Sequence, residues 1–138
     1  MGYSLSGVFL VLVAINYCDL MRRQIPNVLL GGLLICLLLA FPQYWSSLGL
    51  SLAAGGAIWF FCIWGAGDAK LAAVLSIAIP TSSLLNAWLV TLYAGGVLAV
   101  VYLIKSRVRH CKPDGLPYGV AISIGFFSQI LLSSVDIA

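Results

Sequence analysis

Apolar residues fill this chain in long runs, and the polar residues are confined to the short segments between them. Hydrophobic side chains make up 62% of the 138 residues and charged side chains only 8%, against about 25% in an ordinary soluble domain. A chain with so few charges has too little polar surface to fold in water. The sequence therefore predicts an all-α integral membrane protein with one domain over residues 1–138, and no basic surface for nucleic acid.

Six of the apolar runs can form helices in a bilayer, which about 20 helical residues cross. The predicted spans, which form a six-helix bundle, are Tyr3–Leu20, Pro26–Phe41, Leu48–Trp64, Ala69–Ile79, Leu84–Ile104 and Pro117–Val135. Pro26 and Pro117 suit a first helical position, where no N–H is needed. The fourth span reaches only about 16 Å. Either Pro80 kinks a longer helix, or the bilayer thins, or the segment is partly re-entrant.

The positions of the basic residues predict the orientation. In a chain with six spans they fall only in alternate loops, and the other loops carry none. These residues are Arg22, Arg23, Lys70, Lys105, Arg107, Arg109 and Lys112. The positive-inside rule then places these loops in the cytoplasm and both termini outside.

Small residues occur where close contacts between helices are expected, because association in lipid relies on them. The third span carries residues 53–57, Ala-Ala-Gly-Gly-Ala, and the fifth has Thr91, Gly95 and Ala99 at four-residue spacing. The second contains Gly31 next to a further glycine. These segments predict helix packing and do not by themselves indicate a ligand.

Two of the four acidic residues lie at the ends of apolar segments. Asp19 closes the first span and Asp68 follows the third, both on the predicted cytoplasmic side. A carboxylate at membrane depth is costly, which makes each a candidate functional residue. Asp19 could instead only form a helical ion pair with Arg22 or Arg23, and Asp68 could only cap a helix.

Two carboxyls in one site do not both ionise easily, so the pair can share a proton. The ionised member can take a proton from water while the protonated member donates to a peptide carbonyl oxygen. The same acids could bind a cation or relay protons in a small transporter or channel subunit, and a structural subunit of a secretion machine would need neither. A protease requires the carboxyls within about one water of each other, whereas transport requires a polar route across the membrane. His110 lies in a polar loop, so a Ser–His–Asp triad is not expected.

Three motifs surround these acids in the order in which they occur. They are Asp19 with Arg23-Gln24-Ile25-Pro26-Asn27, then Gly65-Ala66-Gly67-Asp68-Ala69-Lys70, then Leu116-Pro117-Tyr118-Gly119-Val120-Ala121-Ile122. Together they resemble the type IV prepilin peptidases, membrane aspartyl proteases of the Gly-x-Gly-Asp type. The resemblance implies that Asp19 and Asp68 are the catalytic pair, with neither metal nor cofactor. The residues that it implies in shaping the site are Gly65, Gly67, Lys70, Pro26, Asn27, Pro117, Tyr118 and Gly119. Lys70 could instead only reach the lipid head groups.

The resemblance also implies the substrate and the location. The substrate would be a prepilin with a short basic leader and a hydrophobic helix, cleaved after a glycine on the cytoplasmic side of the bacterial inner membrane. The bilayer is the second partner, and the sequence is compatible with a homo-oligomer. The short loop at residues 21–24 and the lack of any Cys-x-x-Cys pair are similar to the small peptidases of Flp/Tad pilus systems. Archaeal preflagellin peptidases are less similar, and the N-methyltransferase activity of the longer members is not expected.

Overall fold

The fold is an all-helical bundle, seen in a computed structural model that describes residues 2–62, 64–109 and 116–136. The helices in these ranges are α1 (Gly2–Arg22), α2 (Asn27–Ala40), α3 (Trp45–Phe60), α4 (Ala66–Ser76), α5 (Thr81–Arg109) and α6 (Tyr118–Asp136). The predicted class, an all-α membrane bundle, is confirmed. His110, Cys111 and Lys112 lie outside the described residues.

Several helix boundaries differ from the prediction. Both α3 and α4 begin three residues earlier than expected, and α3 ends at Phe60 because Cys62 has a left-handed backbone with φ 58°. α4 ends at Ser76, so Pro80 lies between two helices and does not kink one. α5 extends beyond its predicted apolar core at both ends. It begins at Thr81, directly after Pro80, and its charged last turns continue the helix to Arg109.

Each proline that was expected to open a helix lies one residue before it. Pro26 has an extended backbone, with φ −67° and ψ 131°, at the N-cap of α2. Its carbonyl oxygen accepts hydrogen bonds from the N–H groups of Leu29 and Leu30 at 3.1 and 3.2 Å. Pro117 likewise precedes α6. An N-cap residue keeps an extended backbone while its carbonyl starts the helical hydrogen bonds, and proline can do both.

Three helices in the described part of the chain are long and apolar enough to cross a membrane. Their spanning segments are Leu5–Arg22, Thr81–Val108 and Tyr118–Val135. α4 has only 11 residues but lies inside the bundle, packed against α2, α3 and α6. Because protein and not lipid surrounds it, its short length is tolerated. The described residues form six helices, while six complete spans remain a prediction.

Small residues allow the closest helix contacts of α3 and α5, as the sequence predicts. The same prediction is wrong for α2, because a Cβ on Gly31 or Gly32 would meet nothing within 4 Å. A Cβ on Gly55 of α3 would lie 3.2 Å from the Cα of Ala69 in α4. A Cβ on Gly125 of α6 would overlap the hydroxyl oxygen of Thr91 in α5 and lie 2.7 Å from the Thr91 nitrogen. The backbones of α5 and α6 therefore approach as closely as glycine allows, and this contact holds α6 in place.

Replacing Gly125 with Ala is expected to lower the free energy of unfolding by about 1–3 kcal/mol, the usual cost of overpacking. The added methyl group meets backbone atoms of α5, so the two helices must separate. Thermal unfolding in detergent measures the effect. Gly96→Ala is the matched control, because a Cβ there meets nothing within 4 Å and alanine favours a helix by about 1 kcal/mol over glycine. Equal stability of the two variants would contradict this packing.

Candidate active site

Asp19 lies in the last turn of α1 and is buried, with 6% of its surface exposed. Its Oδ2 accepts a hydrogen bond from the backbone N–H of Gly119 in the first turn of α6, at 3.1 Å. N–H groups at a helix start have no partner within the helix, and a carboxylate oxygen suits them well. The charge of Arg23, just after α1, interacts with the same carboxyl. The start of α6 therefore fixes the orientation of the Asp19 side chain.

Gly119 has no room for a side chain. A Cβ at this position would lie 2.7 Å from Oδ2 of Asp19 and 3.1 Å from its Cγ. The close approach that creates the Gly119–Asp19 hydrogen bond therefore requires glycine. The third motif thus contributes to the site mainly through a backbone N–H group.

If Asp19 has the catalytic role that the sequence resemblance implies, replacing Gly119 with Ala is expected to reduce kcat/KM for a cleaved substrate by about 100-fold. The methyl group must push the Asp19 carboxyl aside, and a displacement of about 1 Å of a catalytic group can cost that much. The measurement is the cleavage rate of the purified variant, with its thermal unfolding recorded in parallel. Gly96→Ala again makes the same change in open space. Wild-type cleavage by Gly119→Ala would show that this contact does not position Asp19.

Asp68 is the third residue of α4, and it is half-buried. Its Oδ2 accepts a hydrogen bond from the Gly65 N–H at 3.2 Å, and Gly65, not Asp68, is the N-cap. The helix that carries Asp68, α4, is not one of the three helices long enough to cross a membrane. Burial, and to a smaller extent the negative charge of Asp19, raise the pKa of Asp68 to about 6, although the hydrogen bond from Gly65 opposes this rise. Asp68 can therefore hold a proton much closer to neutral pH than an exposed aspartate.

Both carboxyls line a single cavity of about 330 Å³. The lining residues are Asp19, Arg23, Gln24, Ile25, Asn27, Gly65, Ala66, Gly67, Asp68 and Lys70. A water molecule occupies about 30 Å³ in the liquid, so the cavity admits several waters or a short stretch of polypeptide. Both α1 and α4 pack against α2 and α6, and this shared packing holds their ends at the cavity. Helix ends that are far apart in sequence thus bring the two acids to one cavity.

Four of the expected shaping residues line this cavity. Lys70 Nζ donates a hydrogen bond to Asn27 Oδ1 at 3.4 Å, which joins α4 to the start of α2. Gly65 supplies the N–H that binds Asp68. A Cβ on Gly67 would lie 3.2 Å from the Cβ of Ile25, so this glycine lets the α1–α2 connection approach α4.

Pro26, Pro117 and Tyr118 support the site from outside its lining. The Pro26 carbonyl begins α2, and Pro117 is buried directly before α6. The Tyr118 ring lies 6.0 Å from that of Trp64, measured between centroids. Each of these residues lies at the beginning of a helix and helps to position it, and none of them lines the cavity.

The sequence interpretation missed two groups of residues. Arg23, Gln24 and Ile25 line the cavity, although they stand inside the first motif and no site role was assigned to them. Trp64 is buried and stacks on Trp88 of α5, with centroids 5.5 Å apart and an interplanar angle of 11°. This stack fixes the connection that leads into Gly65. Its only sequence signal is an aromatic residue directly before the Gly-x-Gly-Asp motif.

The fold and the cavity define a helical membrane protein in which two carboxyls share one polar site. The sequence profile of the type IV leader peptidase family matches residues 7–104, and the chain belongs to this family. Membership implies a protease with a prepilin-peptidase-like function, and it confirms the resemblance found in the sequence. The matched region contains Asp19 and Asp68 and ends before α6. Neither a curated protein nor a solved structure matches the chain significantly.

Proposed function

We propose that this protein is an aspartic-type endopeptidase that removes the leader peptide of Flp-like type IV prepilins. The observation that carries the proposal is that Asp19 and Asp68 line the same cavity. Family membership supports the leader-peptidase activity. The proposal adds the catalytic pair, the substrate subclass and the side of the membrane.

The proposed chemistry is general acid–base hydrolysis of one peptide bond by the two carboxyls. The ionised carboxyl takes a proton from a water in the cavity, and the water oxygen attacks the scissile carbonyl carbon. The protonated carboxyl donates its proton to the carbonyl oxygen as the tetrahedral intermediate forms. Collapse of the intermediate breaks the C–N bond, and a proton passes to the leaving amine. The raised pKa of Asp68 supports a pair that holds one proton near neutral pH.

A transporter that uses the same two acids is less well supported. Beyond Lys70, the buried residues of α4 are apolar except for one serine. These residues are Leu71, Ala72, Ala73, Leu75 and Ser76. The short buried helix that carries Asp68 thus continues into apolar packing, whereas transport requires a polar route. This arrangement favours hydrolysis at one end of the bundle.

Charge supports a cytoplasmic active site with both termini outside. Arg23 and Lys70 line the cavity itself, and Arg22 ends α1 beside it. Basic residues at the membrane edge favour the cytoplasmic face. These charges support cleavage at the inner face of the bacterial inner membrane.

The connection between α1 and α2 supports a short, Flp/Tad-type peptidase. α1 ends at Arg22 and α2 begins at Asn27, which leaves space for a tight connection and none for an inserted domain. We therefore expect leader removal without N-methylation of the new terminus. Mass spectrometry of processed prepilin distinguishes the two products, because methylation adds one CH₂ unit.

The experiment that tests the proposal is co-expression of the wild-type protein with candidate prepilins. Leader removal is scored by mass spectrometry of the prepilin, with an empty-vector strain as the control. Cleavage of a Flp-like prepilin at the end of its leader is expected only when the protein is present. Failure to cleave every prepilin tested, with the protein folded and inserted, would contradict the proposal.

A further inference from the structure

A second cavity, of about 310 Å³, lies between α2, α3 and α4 and is here called the apolar groove. Its lining residues are Asn27, Leu30, Gly31, Leu34, Leu48, Leu52, Lys70, Ala73 and Val74. All of them except Asn27 and Lys70 have apolar side chains or none. The groove therefore offers a surface for an apolar ligand of elongated shape.

The apolar groove is continuous with the active-site cavity. Asn27 and Lys70 line both, and the hydrogen bond between their side chains marks the junction. From there the groove follows one face of α2, from Asn27 to Leu34. These positions cover about 10 Å at 1.5 Å per residue. A ligand in the groove would thus run along the bundle and away from the two carboxyls.

The surroundings restrict what this ligand can be. A polypeptide whose scissile bond lies in the active-site cavity must continue beyond it, and the groove is the adjoining apolar surface. Within a membrane, that segment must satisfy its own backbone hydrogen bonds, which an α-helix does. Its side chains must be apolar to match the leucines of the lining. Binding of an apolar helix in a groove of this kind is a common recognition mode.

We propose that the apolar groove binds the hydrophobic helix that follows the scissile bond of the prepilin. This inference rests on the proposed function, and it locates the part of the enzyme that recognises the membrane segment of the substrate. The groove selects substrates by their apolar helix, while the two acids perform the cleavage.

Gly31 provides the sharpest test of the apolar groove. A Cβ at this position would meet nothing within 4 Å, so a larger side chain would project into the groove without disturbing the fold. We expect Gly31→Leu to lower kcat/KM for a full prepilin by about tenfold or more, as when an occupied site is overfilled. The loss for a short peptide that spans the cleavage site and lacks the helix should be much smaller.

Gly96→Leu in α5 is the matched control. Gly96 is also in open space but does not line the groove, so the ratio of the two kcat/KM values should stay at the wild-type level. A wild-type ratio in Gly31→Leu would overturn the groove proposal while leaving the proposed function intact. If the wild type cleaves neither substrate, the proposed function fails and the groove proposal fails with it.

Cross-linking keeps the proposal testable if Gly31→Leu does not fold. A photo-cross-linking amino acid is placed at Leu34 in the groove or at exposed Leu92 in α5, in a variant that cannot cleave, within vesicles that contain prepilin. We expect adducts with the prepilin helix from Leu34 and not from Leu92. Adducts from Leu34 only with lipid or with a second copy of the chain, or equal prepilin adducts from both positions, would overturn the proposal.

Discussion

Replacing Asp19 with Asn is expected to reduce the rate of leader removal by about 10³-fold or more, in the range that general acid–base groups contribute. Asparagine has nearly the same shape, and its side-chain oxygen can still accept the hydrogen bond from the Gly119 N–H. The substitution therefore keeps the contact that positions residue 19, and it removes the charge and the acid–base function of the carboxyl. Single-turnover cleavage of a purified prepilin in lipid vesicles measures the loss.

The control for Asp19→Asn is the same acid-to-amide change at Asp136, the last residue of α6, to which the sequence assigns no site role. Asp136→Asn should cleave at the wild-type rate. Thermal unfolding of both variants verifies that they fold. Cleavage by Asp19→Asn within about tenfold of wild type would remove Asp19 from the mechanism, since the loss of an acid–base group costs more.

Replacing Asp68 with Asn should cause a loss of similar size, about 10³-fold or more, without reducing stability. Burial raises the pKa of Asp68 to about 6, well above its value in an unfolded chain, so its ionised form is disfavoured in the folded state. Near neutral pH the neutral amide removes that cost, and it can still accept the Gly65 hydrogen bond. Thermal unfolding at pH 7 should therefore give a Tm equal to or above that of the wild type.

The matched control for Asp68→Asn is Asp114→Asn. It removes an acid from the polar stretch of sequence between the fifth and sixth apolar runs, to which the sequence assigns no catalytic role. It should retain wild-type cleavage. A folded Asp68→Asn variant that still removes leaders, or one with a clearly lowered Tm, would contradict the role assigned to this side chain. The first result would argue against catalysis, and the second would indicate that the charge supports the fold.

Much of the helical architecture could be predicted from the sequence, and the two acids that line one cavity could be singled out as candidates. Apolar runs give the helices, because lipid leaves few alternatives for the backbone. Acids at the ends of such runs stand out, because their position is costly. The start of α4 was predicted wrongly because its two glycines suggest a loop. In the structure Gly67 lies inside the helix, where the close packing of Ile25 requires it.

The contacts that complete the site could not be predicted. The Gly119 N–H that binds Asp19 lies 100 residues further along the chain, and only tertiary packing of α6 brings it there. Stacking of Trp64 on Trp88 of α5 likewise depends on tertiary packing. The apolar groove is formed by three helices at once, whereas a sequence motif describes one segment at a time.

The most direct test of the central claim compares wild type, Asp19→Asn, Asp68→Asn and the double variant in the same vesicles with the same prepilin. Residues that act as a unit give strongly non-additive losses. The account predicts that each single variant already shows nearly the full loss, and that the double variant is no slower than the singles. Losses that multiply in the double variant, or cleavage retained by either single variant, would show that the two carboxyls do not act together on one water.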